Sequence, residues 1–262
     1  MKKKLLFYCF ISFIGMISCT GNFENDLIDS NSNNMDDFIE FLNITYKGET
    51  YENVPFSYDE MGEFLFLDDS FSIIYEKELL NNKEWSIKIE DSSHITFYKD
   101  LNSNLLSNGI EHLSPITENI PSVFFKETRS SYEFLAKLEL FDDKYFKDRH
   151  YPWYLNDTTI YVSVSNLKNF NGFNDKTSSL IIENNLPNSP NYSFKLGNYT
   201  YPCSEIDAVF IGYDDKNFSD RTIVCLATAG TVKEHPYLPG FNDKLSSFEF
   251  FFARNGQYKE RF

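Results

Sequence analysis

The chain has 262 residues, room for more than one modest domain, and carries 24 Lys and Arg against 39 Asp and Glu, a net charge of −15. That acid surplus argues against nucleic acid as a partner, and against docking on anionic lipid through the protein surface, because both favour a basic face. Aromatic residues make up 18% of the chain, so a single aromatic cluster is weak grounds for a site.

The first element is an export signal. Lys2, Lys3 and Lys4 precede an apolar run over residues 5–17 that is of signal length and too short to span a bilayer as a helix. It closes on Met16, Ile17, Ser18 and Cys19, which resembles a bacterial lipobox in which Cys19 is lipidated and becomes the first mature residue. The alternative is a soluble secreted protein with an incidental cysteine. Residues 1–18 are expected to be a lipoprotein signal peptide, and residues 19–36, rich in Asn and Asp, a flexible tether. That places the protein in the bacterial cell envelope, held to the membrane through the lipid on Cys19. Loss of residues 1–18 removes three lysines and no acid, leaving a mature net charge of −18.

Residues 37–116 are expected to form a small N-terminal domain, α+β or mainly β. Residues 43–51 read as strand, a Lys47 and Gly48 turn, and strand again. Residues 63–67 alternate as a further strand, residues 70–82 suit a short helix, and 85–89 and 94–98 are again strand-like. Nothing in this domain attaches to a known chemistry. Proline-bearing residues around 114–121 mark the boundary, with a linker at 117–129.

From residue 130 the chain is strand-rich, at 133–141, 159–164, 179–182, 206–213, 222–226 and 248–253. Turn-forming Asn, Asp, Gly and Pro separate these runs, which argues for an antiparallel sandwich. Cys203 and Cys225 lie here, in a compartment that permits disulfides. A bridge across this separation would contribute about 3 kcal/mol on the chain-entropy model, and two separate buried thiols are the alternative. Between two of the strands Tyr151, Trp153 and Tyr154 surround Pro152 in an expected loop. They are candidates for a platform that stacks on a glycan or a protein ligand, and the alternative is that the rings pack back on the sandwich.

Two phrases occur twice, in the same order. FDDKYFKDR at 141–149 returns as YDDKNFSDR at 213–221, and GFNDKTSS at 172–179 returns as GFNDKLSS at 240–247. The offsets are 72 and 68 residues, so one supersecondary unit is present in two copies. In the first phrase two aromatic residues five apart suit a folded-over hairpin closed by ring packing. The second supplies acid, amide and hydroxyl groups, the ligand types hard cations take.

Together the phrases resemble the βγ-crystallin family, whose Greek-key motif pairs an aromatic hairpin with a downstream Asn/Asp–Asn/Asp–x–x–Ser/Thr–Ser stretch, the calcium signature of its microbial members. The resemblance covers residues 130–262 and implies a Greek-key β-sandwich of two motifs with two calcium ions. It implies that Asp175 and Asp243 each reach across to the partner motif's site. Each signature would supply the carbonyl of Lys176 or Lys244 and the hydroxyl of Ser178 or Ser246, with a further carbonyl from each hairpin at Asp142–Asp143 or Asp214–Asp215. Asn174 and Asn242 would brace the loops, and Ser179 and Ser247 would start the next strands. With one direct carboxylate per ion, affinity should lie between about micromolar and millimolar. Asp148 and Asp220 stand where the family's hairpin has Gly, and the left-handed backbone there is open to Asp at some strain. An ion-free loop closed by side-chain hydrogen bonds is the structural alternative.

An EF-hand starting at Asp215 fails, since Asp220 stands where the sharp turn needs Gly and Leu226 where Glu should ligate. No nucleophile elbow, phosphate loop, dinucleotide fingerprint or metalloprotease helix is present, and the four histidines (94, 112, 150, 235) are scattered. No catalysis is expected. The function expected is calcium binding for stability or calcium-dependent recognition. The alternatives are a glycan- or protein-binding receptor in which calcium is structural, and, last, an enzyme that uses the N-terminal domain.

Overall fold

The computed structural model describes residues 39–59, 62–110, 134–170, 173–196 and 199–254. The expected signal peptide, the tether, Cys19 and the linker at 117–129 lie outside the described residues.

In the N-terminal segment, β1 (Glu40–Tyr46) and β2 (Glu49–Tyr58) form the expected hairpin. Lys47 and Gly48 take φ of 52° and 85°, the primed turn whose twist matches that of the flanking strands. β3 (Phe64–Phe66) joins β2. Asp68 caps α1 (Asp69–Ile74), accepting the amides of Ser70 and Phe71 at 3.0 Å each. The helix widens into a π turn over Tyr75–Leu79, so the single helix expected over 70–82 is two short pieces. β4 (Ser86–Asp91) and β5 (His94–Tyr98) form a second hairpin, followed by α2 (Leu101–Ser107).

The C-terminal half supplies β6 (Ala136–Phe141), β7 (His150–Leu155), β8 (Tyr161–Val164) and β9 (Ser179–Asn184). A separate hairpin of β10 (Ser193–Leu196) and β11 (Tyr199–Pro202) intervenes. Then come β12 (Ile206–Asp215), β13 (Ser219–Ala227), β14 (Thr231–His235) and β15 (Ser247–Arg254). The fold is mainly β.

Nine strands make one sheet, β3-β2-β1-β5-β4-β13-β12-β15-β8, and four make another, β14-β9-β6-β7. Within them β6 to β9 and β12 to β15 are two copies of one four-strand motif. Each copy keeps its first, second and fourth strands together and gives its third to the other's sheet: β8 pairs with β15, and β14 with β9. This exchange makes the pair of motifs a Greek-key sandwich. The N-terminal strands then extend the second motif's sheet, because β4 runs parallel to β13 with Ser86 opposite Thr222 and Ile87 opposite Ile223. One sheet therefore passes unbroken from the N-terminal segment into the C-terminal half.

The interior is aromatic. Trp153 meets Phe248 with ring centroids 4.8 Å apart, Phe210 lies 5.9 Å from Phe248, and Trp85 lies 6.0 Å from Phe241. Each such ring contributes about 2–3 kcal/mol by leaving water. β12 and β15 are covered on both faces. Phe210, Phe248 and Phe252 face the sandwich, while Val209, Ile211 and Phe251 pack with Leu105 and Ile110 from around α2. Among the described residues no helix is long and apolar enough to cross a membrane.

One expectation is corrected and one open alternative is decided. The aromatic segment around Pro152 is strand β7, not a loop. Strand alternation turns Tyr151 and Trp153 toward the core, where their rings lie 4.5 Å apart, and leaves Tyr154 on the opposite, exposed face. The three do not form one platform. Cys203 and Cys225 are buried free thiols. Cys225 sits opposite Phe210, four strand residues or about 13 Å beyond the start of β12, whereas Cys203 precedes that strand. A bridge needs Cα atoms within about 7 Å. Burial pushes both thiols above their usual range, Cys203 to about 11.

Candidate metal centre

The two hairpins fold alike. Tyr145, Phe146 and Asp148 have φ of 60°, 60° and 61°, and their counterparts Asn217, Phe218 and Asp220 have 57°, 60° and 69°. The rings close each tip as expected, Phe141 on Phe146 and Tyr213 on Phe218, both at 5.5 Å and edge-on. Asp148 and Asp220 do adopt the left-handed conformation that Gly would take without steric cost.

Each signature is bolted to its own hairpin through its last two serines. The Ser178 amide donates to the Phe141 carbonyl at 3.0 Å, and the Ser246 amide to the Tyr213 carbonyl at 2.9 Å. Ser179 Oγ donates to the Asp143 carbonyl at 2.6 Å and accepts the Phe146 amide at 3.1 Å. Ser247 Oγ repeats this with the Asp215 carbonyl and the Phe218 amide, at the same two distances. Ser179 and Ser247 also start β9 and β15, where the sequence puts them.

The signatures then cross. Ser178 Oγ donates to Asp243 Oδ1 at 3.0 Å, and Ser246 Oγ donates to Asp175 Oδ1 at 2.7 Å. The backbone crosses too: the Asp243 amide donates to the Thr177 carbonyl at 3.3 Å, and the Asp175 amide to the Leu245 carbonyl at 3.2 Å. Both aspartates adopt left-handed φ, 53° and 56°, which aims their carboxylates across the sandwich. Asn174 and Asn242 donate to the second oxygen of the neighbouring aspartate, the bracing role expected of them. Ser178 Oγ also lies 3.3 Å from the Lys176 carbonyl. The first site therefore gathers Lys176, Ser178 and Asp243, and the second pairs Ser246 with Asp175, with Lys244 two residues before Ser246 as Lys176 is before Ser178.

Asp142 and Asp214 are placed differently. Asp142 takes Arg149 Nε at 2.9 Å and Nη2 at 2.6 Å, and Asp214 takes Arg221 Nε at 2.9 Å. Their carboxylates are thus engaged by arginines within their own hairpins. Burial raises the Asp214 carboxyl above its ordinary value despite Arg221 beside it. The hairpin carbonyls that meet the signatures belong to the flanking residues, Phe141 and Asp143 in the first motif and Tyr213 and Asp215 in the second. These aspartate–arginine pairs were missed in the sequence, although both members recur at matching positions of the repeated phrase.

The donor set fits a hard cation. Calcium–oxygen bonds of about 2.3–2.6 Å put neighbouring ligand oxygens about 3–3.5 Å apart, and the oxygens here stand 2.7–3.3 Å from one another. Ser178 and Ser246 are nearly buried, at 3% and 4% exposure, while Asp175 and Asp243 are exposed and open an approach. In the first signature the buried oxygens Asn174 Oδ1 and Thr177 Oγ1 have no hydrogen-bond partner among the described residues, a debt that water or an ion settles. Among the described residues no three His, Cys, Asp or Glu side chains converge into a group that could hold a metal ion, so a cation here would rest on one carboxylate beside hydroxyl and carbonyl oxygens.

Two hairpin-plus-signature motifs that exchange their third strands and cross their acids define a βγ-crystallin-type double Greek key in the C-terminal half. The chain is similar to a βγ-crystallin from Ciona intestinalis, with 26% identity over 43% of this chain and 95% of that one and a TM-score of 0.26. It is similar to a double mutant of clostrillin in complex with nickel, at 16% identity over 44% and 97% of the two chains, TM-score 0.27. A double mutant of a βγ-crystallin domain from Clostridium beijerinckii matches at 17% identity over 44% and 96%, TM-score 0.22. No protein-family model and no curated protein matches the chain.

Proposed function

We propose that this chain is an exported, lipid-anchored protein of the bacterial envelope whose C-terminal domain binds two calcium ions and performs no catalysis. The crossed pairs Ser178 with Asp243 and Ser246 with Asp175 carry the proposal, since each assembles a carboxylate and a hydroxyl from different motifs. In the first site Asp243, Ser178 and the Lys176 carbonyl would hold the ion, and in the second Asp175, Ser246 and the Lys244 carbonyl. Bound calcium supplies a charge that ties the two motifs together. At one hundred times the dissociation constant each ion adds about 2.7 kcal/mol to stability. Lipidation rests on the lipobox-like stretch ending at Cys19, and it would hold the domain where extracytoplasmic calcium is available.

Calorimetric calcium titration of residues 20–262 tests the calcium proposal, with two ions per chain expected. Asp175→Ala should silence the second site and Asp243→Ala the first. A chain that gives no calcium heat and melts identically in chelator sinks it. Cys19→Ala should release the protein from membranes, and retention of that variant argues against the anchor.

A further inference from the structure

We propose that Glu63, at the entry to β3, is a positioning residue for the second site, which makes the two calcium sites unequal and couples the second to the N-terminal segment. The inference rests on the calcium reading above. Glu63 accepts Lys244 Nζ at 2.5 Å and, through its other oxygen, a guanidinium nitrogen of Arg221. Lys244 is the residue whose carbonyl would serve the second site under that reading, and Arg221 belongs to the second hairpin.

The N-terminal segment packs directly on this signature. A Cβ at Gly240, the first residue of the repeated stretch, would lie 2.5 Å from Phe64 Cε2, and one at Gly62 would lie 3.4 Å from Lys244 Cε. Arg221 stacks 5.2 Å from the Trp85 ring on the same side. The Lys244 side chain is consequently only 11% exposed. In the first motif the corresponding Lys176 is exposed, and the side chain of Arg149 is 46% exposed beside Asp142. The two copies match within the sandwich and differ in what lies over them.

Two physical effects favour the second site. Holding Lys244 in place before the ion arrives removes part of the ordering cost of binding. Glu63 and Asp214 face Arg221 and Lys244, with Asp220 nearby. Loss of Glu63 makes the surroundings of a site meant for a divalent cation more positive by one charge, where solvent screens it poorly. Both effects point the same way, and together they should change affinity by about three- to tenfold. Linkage makes the effect reciprocal: calcium in the second site tightens the packing of the segment around Glu63.

The test is calcium titration of the full chain in detergent, with Glu63→Gln introduced separately into Asp243→Ala and Asp175→Ala. In Asp243→Ala, where only the second site works, Glu63→Gln should weaken binding about three- to tenfold. In Asp175→Ala, where only the first works, it should change nothing. Lys244→Met, which keeps the carbonyl, loses the ordering effect but also removes a positive charge, so it should weaken the second site less than Glu63→Gln does and leave the first site unchanged. It also decides the matter if near-ultraviolet dichroism shows Glu63→Gln to be unfolded. Two ions in the wild type with an unaffected second site, or equal losses at both sites, overturn the role of Glu63 alone. Absence of calcium heat in the wild type overturns the calcium reading and this inference with it.

Discussion

His235 ends β14 at 3% exposure, opposite Leu180, and among the described residues neither ring nitrogen has a hydrogen-bond partner. Burial, with a smaller push from Lys233, lowers its pKa from 6.5 to about 4. The folded protein therefore resists a proton that the unfolded chain accepts. Stability from this group is complete above pH 6.5, falls as pH drops toward 4, and is flat below. A depression of this size corresponds to about 3 kcal/mol, at about 1.4 kcal/mol per pH unit. His235→Leu removes the group at similar volume, and it should also relieve unpaired polar atoms worth about 1–3 kcal/mol at neutral pH. Urea unfolding of both proteins in chelator, from neutral pH to about pH 4, isolates the effect, because the carboxylates are common to the two and cancel. The wild type should lose about 3 kcal/mol more than the variant over that range. Parallel pH profiles for the two proteins would refute the reasoning.

The two hairpin arginines should behave differently despite their matching positions. Arg221→Gln leaves Glu63 and Asp214 short of a counter-charge in a mostly buried setting and should cost about 2–4 kcal/mol in urea unfolding, whereas Arg149→Gln should cost under about 1. Equal losses would mean that the N-terminal contacts contribute nothing. Asp148→Gly and Asp220→Gly, at φ of 61° and 69°, should each raise stability by about 0.5 kcal/mol by relieving the left-handed backbone, and a lowered melting point at both positions contradicts this. Cys203 and Cys225 should resist a thiol reagent in the folded protein and both react after unfolding without reductant. A need for reductant would reveal a bridge.

Several elements were legible because their cause is local. The β1–β2 turn follows from Lys47 and Gly48, whose positive φ suits a primed hairpin. The hairpin tips follow from two aromatics at fixed spacing, and Asp148 and Asp220 tolerate the conformation imposed on them. The β7 strand was hidden by Pro152, which reads as a loop residue. It is accommodated because β7 is an edge strand, where a missing amide donor costs little. Glu63 carried no signal at all. Its partners stand 158 and 181 residues away, and a lone acid beside a turn has no periodicity or spacing to mark it.

The sequence by itself determined the duplicated unit and its mainly-β class, because a repeated local phrase must fold the same way twice, while the crossing of Asp175 and Asp243 was expected only from the family resemblance. Only the tertiary structure decided that β4 pairs with β13, that Cys203 and Cys225 stay apart, and that the second signature is covered while the first is open. Those outcomes depend on which distant strand edges meet, and edge pairing is set by the shape and burial of whole sheets and not by any short run of residues.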